Sequence, residues 1–191
     1  IRTVVNYFQS LKRYKKVVLV GFSLGGNVIL KYLGEEGSGI TDFVDRAVAF
    51  SVPCYIPDAN AELTKWFNKI YLNRFMNALN EKLKCKVELF PGKIQLPKGK
   101  LPRTFAEFDS LYTGPIHGYA DAEDYWERAS SIHFLPDIAV PTLLVNARDD
   151  SFLGESCYPY DIAKKHPHLL VKYYPLLIDL LNQPNKHDAI N

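Results

Sequence analysis

A serine with a glycine two residues to either side, Gly21-Phe22-Ser23-Leu24-Gly25, is the first group in the chain whose type and spacing suit it to chemistry. The pattern suits a sharp turn that lifts Ser23 Oγ clear of the backbone, leaving no room for side chains at Gly21 and Gly25. The next amide, the N–H of Leu24, then opens a helix where a developing oxyanion can accept it. A serine hydroxyl is a weak nucleophile at neutral pH, so it needs a base to take its proton and an acid to orient that base. On a strand-turn-helix scaffold the chain order is serine, acid, histidine. Ala147-Arg148-Asp149-Asp150 supplies two carboxylates. Asp150, further into the loop, is better placed to turn towards a base, and Asp149 is the alternative.

The base is harder to find. After Asp150 the histidines are His166, His168 and His187. His166 and His168 flank Pro167 ahead of the apolar run 169–174, whereas the base should follow that run. His187 does follow it, inside the polar stretch 183–188. Each of the three reads first as a surface histidine, and His187 is the remaining candidate. His117 and His133 precede the acid and read as structural or substrate-facing.

The elements around these residues follow from periodicity. Val4, Val5, Phe8 and Leu11 repeat at helical spacing, and the basic run Lys12 to Lys16 suits that helix's end. Val17-Val18-Leu19-Val20 is a short β-branched run of the kind buried on both faces of a parallel sheet. Gly26 to Leu33 resumes helical spacing. Further strands are predicted at 46–52, closed by Pro53, at 141–147, and at 169–174. Strands alternating with helices make the fold α/β with a mostly parallel sheet and helices on both faces. Almost ninety residues separate the second and third strands, too many for one crossover. Within them Leu63, Trp66, Phe67, Ile70, Phe75, Met76, Leu79 and Leu83 form an apolar stripe opposite Lys65, Asn68, Lys69, Asn73, Asn77 and Asn80. The stripe reads as a long amphipathic helix with its apolar side in the core, not as a membrane or partner face. Pro91 to Pro102 is a Gly/Pro/Lys-rich connection, and Asp121 to Arg128 has the acidic start and basic end of another helix. Residues 54–135 are thus a helical insertion, or cap, over the sheet.

Composition narrows the partners. With 191 residues and 47% hydrophobic content, the chain can bury roughly 70% of the surface its unfolded form exposes. Neither a disulfide nor a structural metal is required, and no cofactor is expected. Lys plus Arg (23) nearly balances Asp plus Glu (21), without the long basic run of a nucleic-acid binder. Cys54, Cys85 and Cys157 are odd in number and lack metal-ligand spacing, so they read as thiols of a reducing, cytoplasmic compartment. No apolar stretch approaches the ~18 residues of a membrane span.

Four segments together resemble the α/β-hydrolase superfamily, and within it the YheT-like branch of esterases and acyltransferases. They are Val17 to Asn27, Pro102-Arg103-Thr104-Phe105-Ala106-Glu107-Phe108-Asp109, His117 to Trp126, and Pro141 to Asp150. The first is superfamily-wide, whereas the Arg-Thr-Phe and Asp-Ala-Glu-Asp-Tyr segments are specific to the branch. The resemblance implies that residues 1–175 are a partial α/β-hydrolase domain, with Ser23 as nucleophile, Asp150 as acid and a small-molecule acyl ester as substrate. Members also carry several strands and a His-Gly-type loop ahead of the elbow, and a Gly-Gly-His segment after the last strand. Here the chain starts in the helix before the elbow strand, and Leu176 to Leu181 does not match, so 176–191 is a divergent tail. The expectation is a fragment without its triad histidine, produced by a shifted reading frame or truncated gene model at about Pro175. The function expected of the intact protein is serine hydrolysis of carboxylic esters. The rivals are acyl transfer to an alcohol and a non-catalytic remnant acting as an interaction module.

Overall fold

The computed structural model describes residues 1–175. Four strands, β1 (Val17–Phe22), β2 (Val44–Phe50), β3 (Thr142–Ala147) and β4 (Leu169–Tyr174), form one sheet in the order β1-β2-β3-β4, every pair parallel. Among the described residues eight α-helices accompany them: α1 (Arg2–Ser10), α2 (Leu24–Glu36), α3 (Ile56–Thr64), α4 (Lys69–Leu89), α5 (Phe105–Phe108), α6 (Gly114–Ile116), α7 (Ala122–Ala129) and α8 (Tyr160–Lys165). This is an α/β fold with a parallel sheet flanked by helices.

Register aligns one side chain per strand into rows. Leu19, Ala47, Thr142 and Leu169 form one row, and Gly21, Ala49, Leu144 and Val171 form the next. These rows face a core shared with Val5 of α1, Ile29, Leu30 and Leu33 of α2, and Ile162 of α8. α2 and α8 fall on the same face, since Ile29, Leu30 and Leu33 share one core with Ile162. The alternate residues Val18, Val20 and Phe22 of β1, and Leu170 of β4, stay exposed. The run 17–20 is therefore not buried on both faces, as its composition suggests. Among the described residues β1 stands at the edge of the sheet.

The connection from β2 to β3 carries α3 to α7, the helical insertion expected from its length. Asp121 caps α7 by accepting the Asp124 N–H at 2.9 Å, so the acidic start of that helix was a valid signal. The long stripe was phased wrongly. Its first part is a separate helix, α3, and α4 buries Leu72, Met76, Asn80 and Leu83, while Trp66, Phe67, Ile70 and Phe75 are exposed. Two asparagines assigned to the polar side rotate the segment. Asn68 is buried, donating through Nδ2 to Glu62 O and Ser151 O. Asn80 donates to Pro102 O at 2.9 Å.

The insertion returns to the sheet through Asn27, fully buried on α2. Its Nδ2 donates to Ala129 O (2.9 Å) and its Oδ1 accepts the Ser131 N–H (2.8 Å), so both polar atoms of one amide clamp the end of α7 to α2.

Backbones approach most closely at the turn after β1. A Cβ on Gly21 would lie 2.8 Å from Gly25 O and from Gly26 Cα, and one on Gly26 would lie 2.6 Å from Val52 Cγ2. Gly25, by contrast, has nothing within 4 Å of its missing Cβ. The steric need expected at Gly25 thus falls on Gly26, because Gly26 faces β2 whereas Gly25 points into open space. We expect Gly21→Ala to destabilise the fold by about 1–3 kcal/mol through overpacking. Gly25→Ala should be neutral or stabilising by about 0.5–1 kcal/mol, through its helix propensity. Urea unfolding of the two variants measures this contrast.

Candidate active site

All four strands point the same way, so the residues after their C-terminal ends share one edge of the sheet, where open α/β sheets bind ligands. Ser23 follows β1, Ser51 follows β2, and Asp150 lies just beyond β3. Ser23 has φ 51° and ψ −128°, a region that costs a non-glycine residue of order 1–3 kcal/mol and is held only by its surroundings. The hold is explicit: its N–H donates to Phe50 O at 2.8 Å, and its carbonyl accepts the Asn27 N–H at 3.2 Å. Ser23 is the N-cap of α2, yet its hydroxyl makes no capping bond, and the residue is exposed. Oγ is thus presented to solvent beside the first-turn amides. Leu24 supplies the first of these, an N–H with no acceptor within the helix.

Asp150 is half-buried. Its Oδ1 accepts the Phe152 N–H at 3.0 Å, and its carboxylate also accepts from the Ser51 hydroxyl. Burial pushes its pKa up, the two hydrogen bonds pull against that, and the charge of neighbouring Asp149 adds to the rise. A carboxylate that ionises reluctantly is a stronger acceptor for an imidazole N–H. Asp149 is exposed, and of the two acids Asp150 is the one turned into the fold. Ser23 and Asp150 follow strands separated by β2, two strand spacings or roughly 10 Å of backbone, which leaves room for one imidazole between their side chains.

Ser51 escaped the sequence reading. It sits at φ 49°, a second non-glycine residue in the left-handed region on the same edge as Ser23, and it donates to Asp150. The strand expected to run to 52 ends at Phe50. The reason lies on β3, where fully buried Asn146 accepts the Val52 N–H at 2.9 Å and donates to Val52 O at 3.3 Å, drawing the chain out of the sheet.

The 150–158 loop is fastened to the insertion at several points. Asp58 of α3 accepts the Ser156 N–H at 2.8 Å. Asn68, just before α4, donates to Ser151 O at 2.6 Å and accepts from Ser151 Oγ at 3.1 Å. Phe152 packs edge-on against Tyr71, ring centroids 5.0 Å apart.

The described histidines are elsewhere. His166 Nδ1 accepts the N–H groups of His168 (3.1 Å) and Leu169 (2.8 Å). Nε2 therefore carries the proton, which it donates to Pro136 O at 3.1 Å. This imidazole shapes the entry to β4, and the His168 carbonyl accepts the Thr142 N–H at the start of β3. Both residues thus lie at the opposite edge of the sheet from Ser23, about 20 Å away along six-residue strands. His133 Nε2 lies 3.0 Å from Glu127 Oε1 and lines a 520 Å³ cleft with Lys31, Glu35 and Phe134, two turns down α2 from Ser23. His117 is exposed in the turn after α6. His187 lies outside the described residues. Among those residues no cluster of His, Cys, Asp and Glu could hold a metal ion, and no helix is long and apolar enough to cross a membrane.

A strained serine between a parallel strand and a helix, with a carboxylate after a later strand, defines an α/β protein of the nucleophile-elbow class. A family model described as alpha/beta hydrolase fold matches residues 1–175, and the chain belongs to that family. It is 38% identical over 142 residues to the esterase candidate YheT of Escherichia coli (strain K12), an alignment covering 73% of this chain and 41% of that protein. It is 29% identical to a monoacylglycerol lipase of Saccharomyces cerevisiae, covering 90% of this chain and 39% of the lipase. It is 28% identical to a medium-chain fatty acid ethyl ester synthase/esterase of the same yeast, covering 82% and 39%. The chain thus spans about two fifths of the length of these relatives. Among solved structures it is similar in fold to the Pyrococcus furiosus esterase Pf2001, with a TM-score of 0.51 at 15% identity, covering 96% of this chain and 55% of that one.

Replacing Asp150 separates stability from chemistry. A carboxyl whose folded pKa is raised favours the fold below its unfolded pKa, and that contribution is lost as pH rises through the folded value. Asn keeps an acceptor for Phe152 and Ser51 without a charge to bury. The stability of Asp150→Asn relative to the parent should therefore increase from pH 3 to pH 7, measured by urea unfolding at each pH. An unchanged difference across that range would place the carboxylate in an environment no drier than that of the unfolded chain.

Proposed function

We propose that the protein is a serine hydrolase of carboxylic esters, with Ser23 as nucleophile and Asp150 as the acid that orients the base. The observation carrying this reading is the strained, uncapped, exposed Ser23 at the N-terminus of α2, on the sheet edge it shares with Asp150. Ser23 Oγ attacks the ester carbonyl as its proton passes to a histidine. The carbonyl oxygen becomes an oxyanion that accepts from the Leu24 N–H, and the C–O bond breaks as the alcohol leaves with that proton. Water then attacks the acyl-serine by the same route in reverse. Ser51 holds the Asp150 carboxylate in place. None of the described histidines that follow Asp150 lies at this edge, so the base is His187 or a histidine of a longer protein.

Residues 54–135 serve as a cap, because their first helix and Asn68 bind the acid loop directly. The relatives named a lipase and an ester synthase/esterase support acyl esters as the substrate class. The latter name also favours a second reading, acyl transfer to an alcohol, which an assay with ester plus alcohol distinguishes by its ester product. A cytoplasmic setting goes with the three free cysteines.

A fluorophosphonate probe tests the serine without a choice of substrate. The expected result is stoichiometric labelling that disappears in Ser23→Ala and slows by about 10⁴ in Asp150→Asn, with circular dichroism showing both variants folded. Labelling that persists in Ser23→Ala overturns the assignment of the nucleophile, and a folded chain that never labels overturns His187 as its base.

A further inference from the structure

The part of the apolar stripe left outside the fold has its own chemistry. Trp66 is 85% exposed and Ile70 79% exposed, one helical turn apart, with Phe67 and Tyr71 exposed beside them. Aromatic and aliphatic side chains this open, gathered on one patch, mark an interaction surface. Lys69 and Arg74 are exposed among them. Charge along this part of the chain is lopsided. Residues 65–103 contain ten of the 23 Lys and Arg but only two of the 21 Asp and Glu. This stretch is therefore +8 within a chain of net +2, and the remainder is −6. Balanced overall composition concealed this division.

The patch also has a fixed address. Asn68, between Trp66 and Ile70, is bonded to Ser151, one residue from Asp150, and Tyr71 and Phe75 pack on Phe152. It therefore forms the rim of the site, not a remote corner of the insertion.

The geometry points to this rim as a docking surface for an anionic lipid interface, seating the mouth of the site on the layer that holds its acyl ester. This deepens the proposed function and rests on it for the role of the site, but the surface can be tested without catalysis. Trp and Tyr suit the boundary between headgroups and acyl chains, where one side of the ring is apolar and the other polar. Basic residues beside them supply attraction to anionic headgroups. The same positive charge opposes pairing of this face with its copy on a second molecule.

The test is co-sedimentation and tryptophan fluorescence with phosphatidylcholine vesicles, with and without phosphatidylglycerol. The chain has two tryptophans, and Trp126 is buried with its Nε1–H bonded to Asp109, so a blue shift on vesicle addition reports Trp66. The expected result is binding to the anionic vesicles that weakens with salt and falls about tenfold or more in Trp66→Ser/Ile70→Ser. Lys69→Glu/Arg74→Glu should abolish the preference for anionic lipid. Ser23 labelling in solution should be unchanged in both double variants, which shows them folded. Vesicle binding unaffected by Trp66→Ser/Ile70→Ser overturns the inference. So does its absence in the parent, including the case in which a dimer is lost on the same substitution and a second copy occupies the face. Because Ser23→Ala should bind vesicles as the parent does, labelling that does not depend on Ser23 removes the nucleophile assignment alone, and failed binding removes the lipid surface alone.

Discussion

The contact on which the site depends is the approach of the turn after β1 to the strand beside it. For Ser23 to stand at the top of the sheet with its side chain free, the chain must leave β1 and enter α2 within one residue. That residue takes a conformation L-amino acids avoid. The turn persists because Gly21 lets the chain fold back onto Gly25 and Gly26, and Gly26 lets α2 settle against Ala49 and Val52. Hydrogen bonds from Ser23 to Phe50 and from Asn27 to Ser23 complete the hold. Sheet rigidity is thereby transferred to one side chain, which the proposed role of Ser23 requires.

The same logic extends outward through buried amides. Asn146 releases β2 from the sheet so that Ser51 can meet Asp150, Asn27 fastens the end of the insertion to α2, and Asn68 fastens its middle to the acid loop. Each is buried with partners for its side chain, since a desolvated amide without them would cost about 1–3 kcal/mol. The insertion is thus tied to the candidate site from both sides, through α2 after Ser23 and through the 150–158 loop that holds Asp150. This coupling also explains the exposed tryptophan. Once Asn68 must face Ser151, the turn that contains it leaves Trp66 and Ile70 no place in the core.

Helix α7, the strand at 142–147 and the elbow were legible because each is specified locally. An Asp cap, an apolar run after proline and glycines around a serine need no knowledge of distant residues. The turn at Ser23 and the loop that carries Asp149 and Asp150 belong to this group as elements of the fold. Ser51 was not legible, because its role depends on Asn146, 95 residues away in the chain and adjacent only across the sheet. The phase of the 63–83 stripe failed for a related reason, since asparagines were assigned to solvent by type when distant carbonyls were waiting for them.

The sequence by itself determined the order of elements and the identity of the turn, since short-range sterics and periodicity act within a few residues. Only the tertiary structure decided which acid turns inward, which histidines lie at the wrong edge, and which half of an apolar stripe is buried. Those outcomes depend on strand order and on hydrogen-bond partners brought from far along the chain. A residue's type states what it can satisfy, but its neighbours in space decide whether it is satisfied.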